Sequence, residues 1–440
     1  MYFLYSLGLS LLFLALLPYF IYQAARHGKY IGSFRERLGS LPTIARSDGR
    51  KTIWVHAVSV GEFLAARSLI TRIAEEWPGH RLVVSTTTAT GQGLARSQTE
   101  AIDATFYFPF DWRFSVRRAL ACVKPSVAII LETELWPNFL RECRQRGVTT
   151  ILVNGRISAR SYTRYRHAHS LMKRTLEDVS RLIMQSQADA DRALQLGAPA
   201  DRIRVCGNLK YDQSALADSE AGHDVQLEVD RLFELSRSPH LIVAGSTTAG
   251  EEAILLDSFL ELRSQKGLED ARLLIAPRHP ERFDEVSRLL SRSDFSFTRR
   301  SDFRLFEGKF KNSGLSVEKM HDVILLDTIG ELASVYRFAA VVFVGGSLVP
   351  GGGHNILEPA AFAKPIMVGP HTENFRQIIS DFVQDDAVVQ TDSHALTGEL
   401  ARLLLNKEEA CAIGKRARSI LLRNKGATEC TIGAIADLID

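Results

Sequence analysis

Short apolar runs alternate with longer amphipathic segments along most of this chain, and that alternation admits few folds. The runs are Thr52–Val58, Arg81–Thr87, Ser126–Leu131, Thr149–Val153 and Arg181–Gln185. After a polar, acidic stretch between Asp212 and Arg237 they resume at His240–Ala244, Arg272–Ile275, Val323–Leu326, Val341–Val344 and Pro365–Val368. Such runs, spaced by helix-length segments, predict strands of parallel sheets wound with helices. The restart predicts two sheets. A local echo agrees: IWVHAVSVGEFLAARSLI from Ile53 and LIVAGSTTAGEEAILLDSF from Leu241 each run strand, small polar turn, Gly-Glu, helix. The expected architecture is α/β, with two Rossmann-like domains facing a cleft. Its expected divisions are a membrane anchor at 1–25, a first domain at 26–212, a linker at 213–238, a second domain at 239–425 and a C-terminal helix at 426–440.

The anchor follows from Met1–Gln23, which has no charged side chain and in which Phe3–Tyr22 is long enough to cross a bilayer as a helix. Arg26, Lys29, Arg35 and Arg37 follow, so the positive-inside tendency places everything after residue 25 in the cytoplasm. A cleaved signal peptide would have a basic n-region and a shorter apolar core, so the expectation is an uncleaved single-pass anchor. The formal net charge of +3 on 440 residues is too small to point to nucleic acid. Cys122, Cys143, Cys206, Cys411 and Cys430 are scattered, with no Cys-x-x-Cys and no histidine at metal-ligand spacing. They are expected to be buried thiols in a reducing compartment.

The densest motif is Ala340–Pro359, AVVFVGGSLVPGGGHNILEP. Gly345, Gly346 and Gly351 to Gly353 would let backbone amides approach an anion, with a helix opening near Asn355 aimed at it. Glu358 would repel phosphate but could accept hydrogen bonds from a ribose diol. The plainer alternative is a capping box of Asn355 and Glu358, with glycines that merely turn the chain. Neither the Gly-Lys-Ser/Thr of a Walker loop nor G-x-G-x-x-G spacing is present.

Ser59-Val60-Gly61-Glu62 follows the first strand and puts Glu62 in the opening turn of a helix, beside His56. A carboxylate there could take the proton of an attacking sugar hydroxyl. Ser59 and Glu62 fit a capping box equally well, and His56 fits a satisfied histidine at a strand end. In LETELWPN, Glu132 and Glu134 would point to opposite sides if extended, so at most one faces the cleft. Arg156, Arg160, Arg164, Arg166, Lys173 and Arg174, with Tyr162 and Tyr165, make either a solvated helix face or a surface for an anionic headgroup. Lys210, in GNLKYD, could neutralise charge on a leaving phosphate. In the second half the turns at Gly245–Thr248, Ala276–Pro280 with Arg278 and His279, and Asp327–Glu331 end strands. With the glycine-rich turn, they would converge on a nucleotide-sized pocket.

WVHAVSVGE, ETELWPN, NGRIS, GNLKYD, APRHPERF, LLDTIGEL and GGHNILEPAAF stand in this order and together resemble the 3-deoxy-D-manno-octulosonic acid (Kdo) transferases of lipopolysaccharide assembly. The resemblance runs from the anchor to about residue 380. It implies a GT-B glycosyltransferase. The acceptor, the lipid A precursor lipid IVA, would lie on the N-terminal domain and the donor CMP-Kdo on the C-terminal one. The implied catalytic base is Glu62, and the implied transition-state positions are Glu132 and Lys210. Implied donor contacts are Pro277, Arg278, Ile329, Gly330, Glu331, Asn355, Ile356, Leu357 and Glu358. Ile329 stands where methionine is common, and Ile356 lies within an otherwise fixed N-x-L-E; both replacements are apolar. The implied reaction inverts the anomeric carbon by direct displacement, without a metal or cofactor. Beside it stand two other readings: a transferase of another nucleotide sugar to a lipid acceptor, and a non-catalytic membrane-tethered binder of nucleotide or lipid.

Overall fold

The computed structural model describes residues 1–27, 33–97, 101–212, 220–303, 305–306, 309–310 and 321–439. Lys29 of the basic flank and residues 213–219 of the expected linker lie outside the described residues. Two compact units divide the chain. The first comprises Met1–Gln213 together with Asn424–Asp440, and the second comprises Ser214–Arg423.

The first unit is built on a parallel sheet of β1 (Thr52–His56), β2 (Arg81–Thr86), β3 (Ala104–Tyr107), β4 (Val127–Leu131), β5 (Thr149–Gly155), β6 (Arg181–Met184) and β7 (Ile203–Val205). Its order is β3-β2-β1-β4-β5-β6-β7. Side chains alternate across a strand. Ile53 and Val55 of β1 therefore enter one buried cluster with Ile129 and Leu131 of β4, while Trp54 enters the opposite one with Ala128 and Ile130. Both faces are covered, which is why these strands read as unbroken apolar runs. Each fully buried Ile, Leu or Phe contributes roughly 1.5–3 kcal/mol.

The helices of this unit are α1 (Tyr2–His27), α2 (Phe34–Arg37), α3 (Val60–Glu76), α4 (Ala89–Ser97), α5 (Arg113–Val123), α6 (Pro137–Gln145), α7 (Ala159–His167), α8 (His169–Glu177) and α9 (Gln187–Gln195). In α3, Phe63, Ala66, Leu69, Ile70 and Ile73 form the apolar stripe that packs on the sheet. The segment Tyr2–Tyr19 of α1 is long and apolar enough to cross a membrane.

The chain returns to the first unit at its end. The C-terminal helix, Ala427–Ile439, buries Ile432, Ile435 and Ile439 against the α3 face of the first sheet. Asp212 accepts hydrogen bonds from the Gly426 and Thr428 amides at 2.8 and 2.6 Å, satisfying donors at the helix start. One expectation is corrected here. Cys206, just after β7, and Cys430 in this helix are joined as a disulfide, Cys411 is exposed, and Cys122 is half-buried, so Cys143 alone matches the expected buried thiol. The partners are 224 residues apart, and only the return of the C-terminus to the first sheet makes them neighbours.

The second unit repeats the plan with β8 (Leu241–Thr247), β9 (Arg272–Pro277), β10 (Phe297–Arg299), β13 (Val323–Leu325), β14 (Val341–Val344), β15 (Ile366–Val368) and β16 (Val389–Gln390). β11 (Leu305–Phe306) and β12 (Lys309–Phe310) form a separate antiparallel pair. The main sheet is parallel, in the order β10-β13-β9-β8-β14-β15-β16. Strand order reverses between β1 and β4 in the first sheet and between β8 and β14 in the second. In such sheets, ligands bind beyond the carboxyl ends of the strands at that reversal.

Candidate active site

In the first unit, Glu62, Glu132 and Lys210 all follow strand ends. Glu62 lies in the first turn of α3, after β1. Ser59 caps that helix, its Oγ accepting from the Glu62 amide at 3.4 Å, while Glu62 Oε2 accepts from the Val58 amide at 2.7 Å. The capping role is therefore real. It does not exhaust the carboxylate, which is half-buried and unusually basic. Burial first, then the neighbouring Glu132 charge, push its pKa up to about 7, against the Val58 hydrogen bond. Such a group can hold a proton taken from a hydroxyl near neutral pH.

Glu132 directly follows β4 in a left-handed backbone conformation, φ +55°, its amide donating to the Val153 carbonyl at 2.9 Å. Lys210 Nζ stands 3.9 Å from Glu132 Oε1, both side chains about one-fifth exposed. The Lys210 turn is fixed by its neighbours: Asn154, at the end of β5 with φ +56°, accepts from the Leu209 amide at 3.1 Å. Thr133 Oγ1 donates to the Arg156 carbonyl, joining the turns after β4 and β5. Glu134 lies in the same turn, its carboxyl pushed up by burial and then by Glu132. Glu62, Glu132 and Glu134 thus share one field, with Lys210 as its counter-charge.

His56 takes the plainer of its two readings. It is buried, with Nδ1 3.1 and 3.0 Å from the carbonyl and hydroxyl oxygens of Ser85 and its ring stacked on Phe108 at 3.8 Å. Burial pushes its pKa down to about 3, so the ring is neutral. In the basic stretch, Arg160, Arg164, Arg166, Lys173 and Arg174 are exposed.

In the second unit the glycine-rich turn departs from the expected cradle. The amides of Gly346, Ser347 and Leu348 donate to the Glu251 carboxylate at 2.7, 2.8 and 2.8 Å, and the Thr248 amide joins them at 2.9 Å. An internal carboxylate fills the place expected for an external anion at Gly345 and Gly346. The helix after the turn, Leu357–Ala361, has five residues, and Asn355 is not its N-cap. So short a helix adds little dipole. Asn355 instead accepts from the Leu357 amide at 3.0 Å and donates to Glu358 at 3.2 Å.

The other expected donor positions follow strands of the same sheet. Pro277 ends β9, and Arg278 beyond it is exposed, its amide held by the Thr247 carbonyl at 2.9 Å. The Arg278 charge reaches both Glu358, whose carboxyl burial raises, and His354, which burial and then Arg278 lower to about 4. Ile356 and Leu357 are buried and position Glu358 rather than offering surface. Ile329 is 79% exposed beside Gly330, φ +95°. Glu331 is held by Arg300 at 2.9 Å and by the Thr328 hydroxyl. A hollow of ≈ 680 Å³ opens here, lined by Pro280, Phe283, Arg300, Thr328, Ile329 and Glu331 among others.

Sequence reasoning did not single out Asn154, Glu251 or His354. The Gly-Glu echo carried the signal for Glu251, since it places a second glutamate where the first unit has Glu62. The left-handed, non-glycine residues Glu132, Asn154 and Ser246 all stand at strand ends around the candidate sites, where such backbone is costly and often functional. Sequence alone does not show that.

Residues 32–213 match a family model described as 3-deoxy-D-manno-octulosonic-acid transferase (kdotransferase). The 3-deoxy-D-manno-octulosonic acid transferase of Haemophilus influenzae is 34% identical over 382 residues, covering 86% of this chain and 84% of that protein. The transferase of the same description from Bordetella pertussis is 32% identical over 395 residues, covering 88% and 87%. Among solved structures, a UDP-GlcNAc 2-epimerase from Neisseria meningitidis bound to UDP-GlcNAc superposes with a TM-score of 0.58 at 12% identity, over 88% of this chain and 100% of that one. That likeness concerns the fold, which is of the GT-B type.

Proposed function

The chain belongs to the 3-deoxy-D-manno-octulosonic acid (Kdo) transferase family of glycosyltransferases, and on that premise we propose that it transfers Kdo from CMP-Kdo to a lipid A precursor, with Glu62 as the general base. The observation that carries the proposal is Glu62 itself. It is a half-buried carboxylate with a pKa of about 7, at the point where strand order reverses in the first sheet.

In this reading an acceptor hydroxyl attacks the anomeric carbon of Kdo. The new carbon–oxygen bond forms as the bond to the CMP phosphate breaks, and the hydroxyl proton passes to Glu62. CMP leaves with the bonding electron pair. Lys210, restrained by Glu132, offers a cation to the charge that grows on the departing phosphate. One face of the sugar is attacked while the other loses its leaving group, so inversion follows and no covalent enzyme intermediate is needed.

On the donor side, Pro277 and Arg278 meet the CMP phosphate. Glu358, held by Asn355, accepts from the ribose, and the hollow beside Ile329, Gly330 and Glu331 takes the base. Ile356 and Leu357 set this arrangement from beneath. The proposed reaction needs no metal or cofactor, because CMP is already an activated leaving group. In the proposed setting, α1 holds the protein to the inner membrane and both units work on the cytoplasmic face, where a lipid acceptor presents its sugars.

The test is a mass-resolved transfer assay in detergent with lipid IVA and CMP-Kdo generated in place, run with and without EDTA. Mass shifts of one or more Kdo units, equal in the two conditions, are expected. No shift beside a working control transferase would overturn the reading, and loss of activity with EDTA would overturn its metal-free form.

A further inference from the structure

The half-buried positions of α1 are Tyr2, Tyr5, Ser6, Leu9, Ser10, Phe13 and Leu17, which fall at helical spacing on one face. That face is seated on the first unit. The Tyr2 hydroxyl donates to Asp178 at 2.5 Å, Asn138 Nδ2 donates to Ser6 Oγ at 3.0 Å, and Trp112 Nε1 donates to Ser10 Oγ at 3.2 Å. Phe13 packs edge-on against Trp112 at 4.9 Å and Phe110 at 5.9 Å. Every polar side chain in this part of the helix therefore has a partner on the protein. Phe3, Leu4, Leu7, Leu11, Leu12, Leu14 and Leu16, outside the half-buried set, are all apolar and exposed.

Charge surrounds the seat. Arg113, Arg117 and Arg146 converge on the buried Glu142 at 3.0, 2.9 and 2.6 Å, and Arg141 and Arg144 reach Asp178 at 3.5 and 2.9 Å. Guanidiniums outnumber carboxylates, and Arg113 and Arg117 remain half exposed. These two also line a groove of ≈ 620 Å³ with Ser6, Ser10, Phe13 and Leu14 of α1. Ser10 is near the middle of the apolar stretch Tyr2–Tyr19. A helix crossing the bilayer would carry Ser10 to the hydrocarbon centre, and in the seated arrangement it would bring Arg113 and Arg117 with it. Charged side chains are strongly disfavoured at that depth. Seating and crossing are mutually exclusive.

We propose that α1 lies in the plane of the cytoplasmic leaflet, seated on the first unit, with its outer apolar face in the acyl region and the arginine rim against anionic phospholipid headgroups. The inference rests on the membrane reading above and changes its geometry from a span to an in-plane helix. An apolar helix face bordered by surplus cations is the surface that an anionic bilayer complements. The polar stripe of Tyr2, Ser6 and Ser10, which a lone span would have to bury in lipid, is covered by protein instead.

The test uses the full chain in inner membranes, with a short protease-sensitive tag placed ahead of Met1, and separately the pair Ser6→Cys and Asn138→Cys. The expected result is a tag protected in spheroplasts but cleaved in inverted vesicles, together with a cross-link between positions 6 and 138 in intact membranes. Cleavage of the tag from the periplasmic side, or absence of the cross-link, overturns the in-plane arrangement while leaving membrane attachment intact. If the tag resists protease on both sides, the cross-link decides. Recovery of the protein in the soluble fraction overturns the membrane reading and this inference together.

Discussion

Glu62 and Glu251 occupy corresponding places, in the first turn of the helix that follows the first strand of each unit, yet their carboxylates are spent differently. Glu251 is completely buried and takes hydrogen bonds from the amides of Thr248, Gly346, Ser347 and Leu348. Glu62 has one amide, from Val58 at 2.7 Å, besides the Ser59 hydroxyl, and it stands in the field of Glu132. One device thus serves as a structural anion that shapes a turn and as a basic carboxylate available for chemistry.

Glu62→Gln should lower the transfer rate by roughly 10²- to 10⁴-fold, the range that general acid–base groups supply. In the unaltered protein kcat/KM should rise with pH to a plateau above about 7, because only the deprotonated carboxylate can take the proton. Stability should move the other way. The folded pKa is raised above the ordinary 4.5, so the folded state binds more protons than the unfolded one between about 4.5 and 7, and the Glu62 contribution is lost as pH rises through that window. Glu62→Gln should flatten that part of the profile, measured by urea unfolding at several pH values. A rate limb unmoved from the ordinary carboxylate range would sink the raised pKa.

Glu132→Gln removes the second largest cause of the raised Glu62 pKa, so the rising limb of kcat/KM should shift to lower pH. It also frees Lys210 from its partner at 3.9 Å. Lys210→Ala should reduce kcat without moving the limb downward. The double variant should fall short of the sum of the two, as residues in one network do. Additive effects within experimental error would mean that the pair does not act as a unit.

The central strands and the loops after them were legible in the sequence because both faces of each sheet are buried, which leaves continuous apolar runs. The four main-sheet strands missing from that reading are β3, β7, β10 and β16, the edges of the two sheets. Ile203–Val205 is largely exposed and Phe297–Arg299 is buried only at its centre, so neither writes an apolar run. The Glu62 turn could be placed from sequence, but its basicity could not, since that depends on Glu132 arriving from a strand that is adjacent only in space. The filling of the glycine turn by Glu251 was hidden for the same reason, ninety-odd residues separating donor from acceptor. The seat of the C-terminal helix was likewise out of reach.

Glu251→Gln would present an amide NH2 where backbone N–H groups now point, leaving buried donors without an acceptor. A loss of roughly 3 kcal/mol or more is expected, read from the denaturant midpoint of the second unit. The same change at Glu62 should cost far less stability. Equal costs at the two positions would refute the division of roles between them.

Gly346→Ala tests the turn from the backbone side. Gly346 has φ +67°, and a Cβ there would lie 2.7 Å from His354 Nε2. Strain in the left-handed region and the displaced ring should together destabilise the unit by about 1–3 kcal/mol. Adding His354→Ala should relieve the collision but not the strain, so part of the loss should remain. Full recovery in the double variant would assign the whole effect to the ring.

Ile435→Ala probes whether the C-terminal helix is integral to the first unit. Ile435 is fully buried in the cluster formed by Val55, Leu69, Ile129 and Ile151, although it follows the second unit in sequence. Truncating a buried isoleucine leaves a cavity and typically costs about 2–5 kcal/mol. That is a large share of the roughly 5–15 kcal/mol that holds an ordinary domain together. The loss should appear in the transition of the first unit, followed calorimetrically or by proteolysis of its loops, while the transition of the second unit stays in place. A second-unit transition lowered instead would show that residues 424–440 stabilise the second unit, and the assignment of that segment to the first sheet would fail.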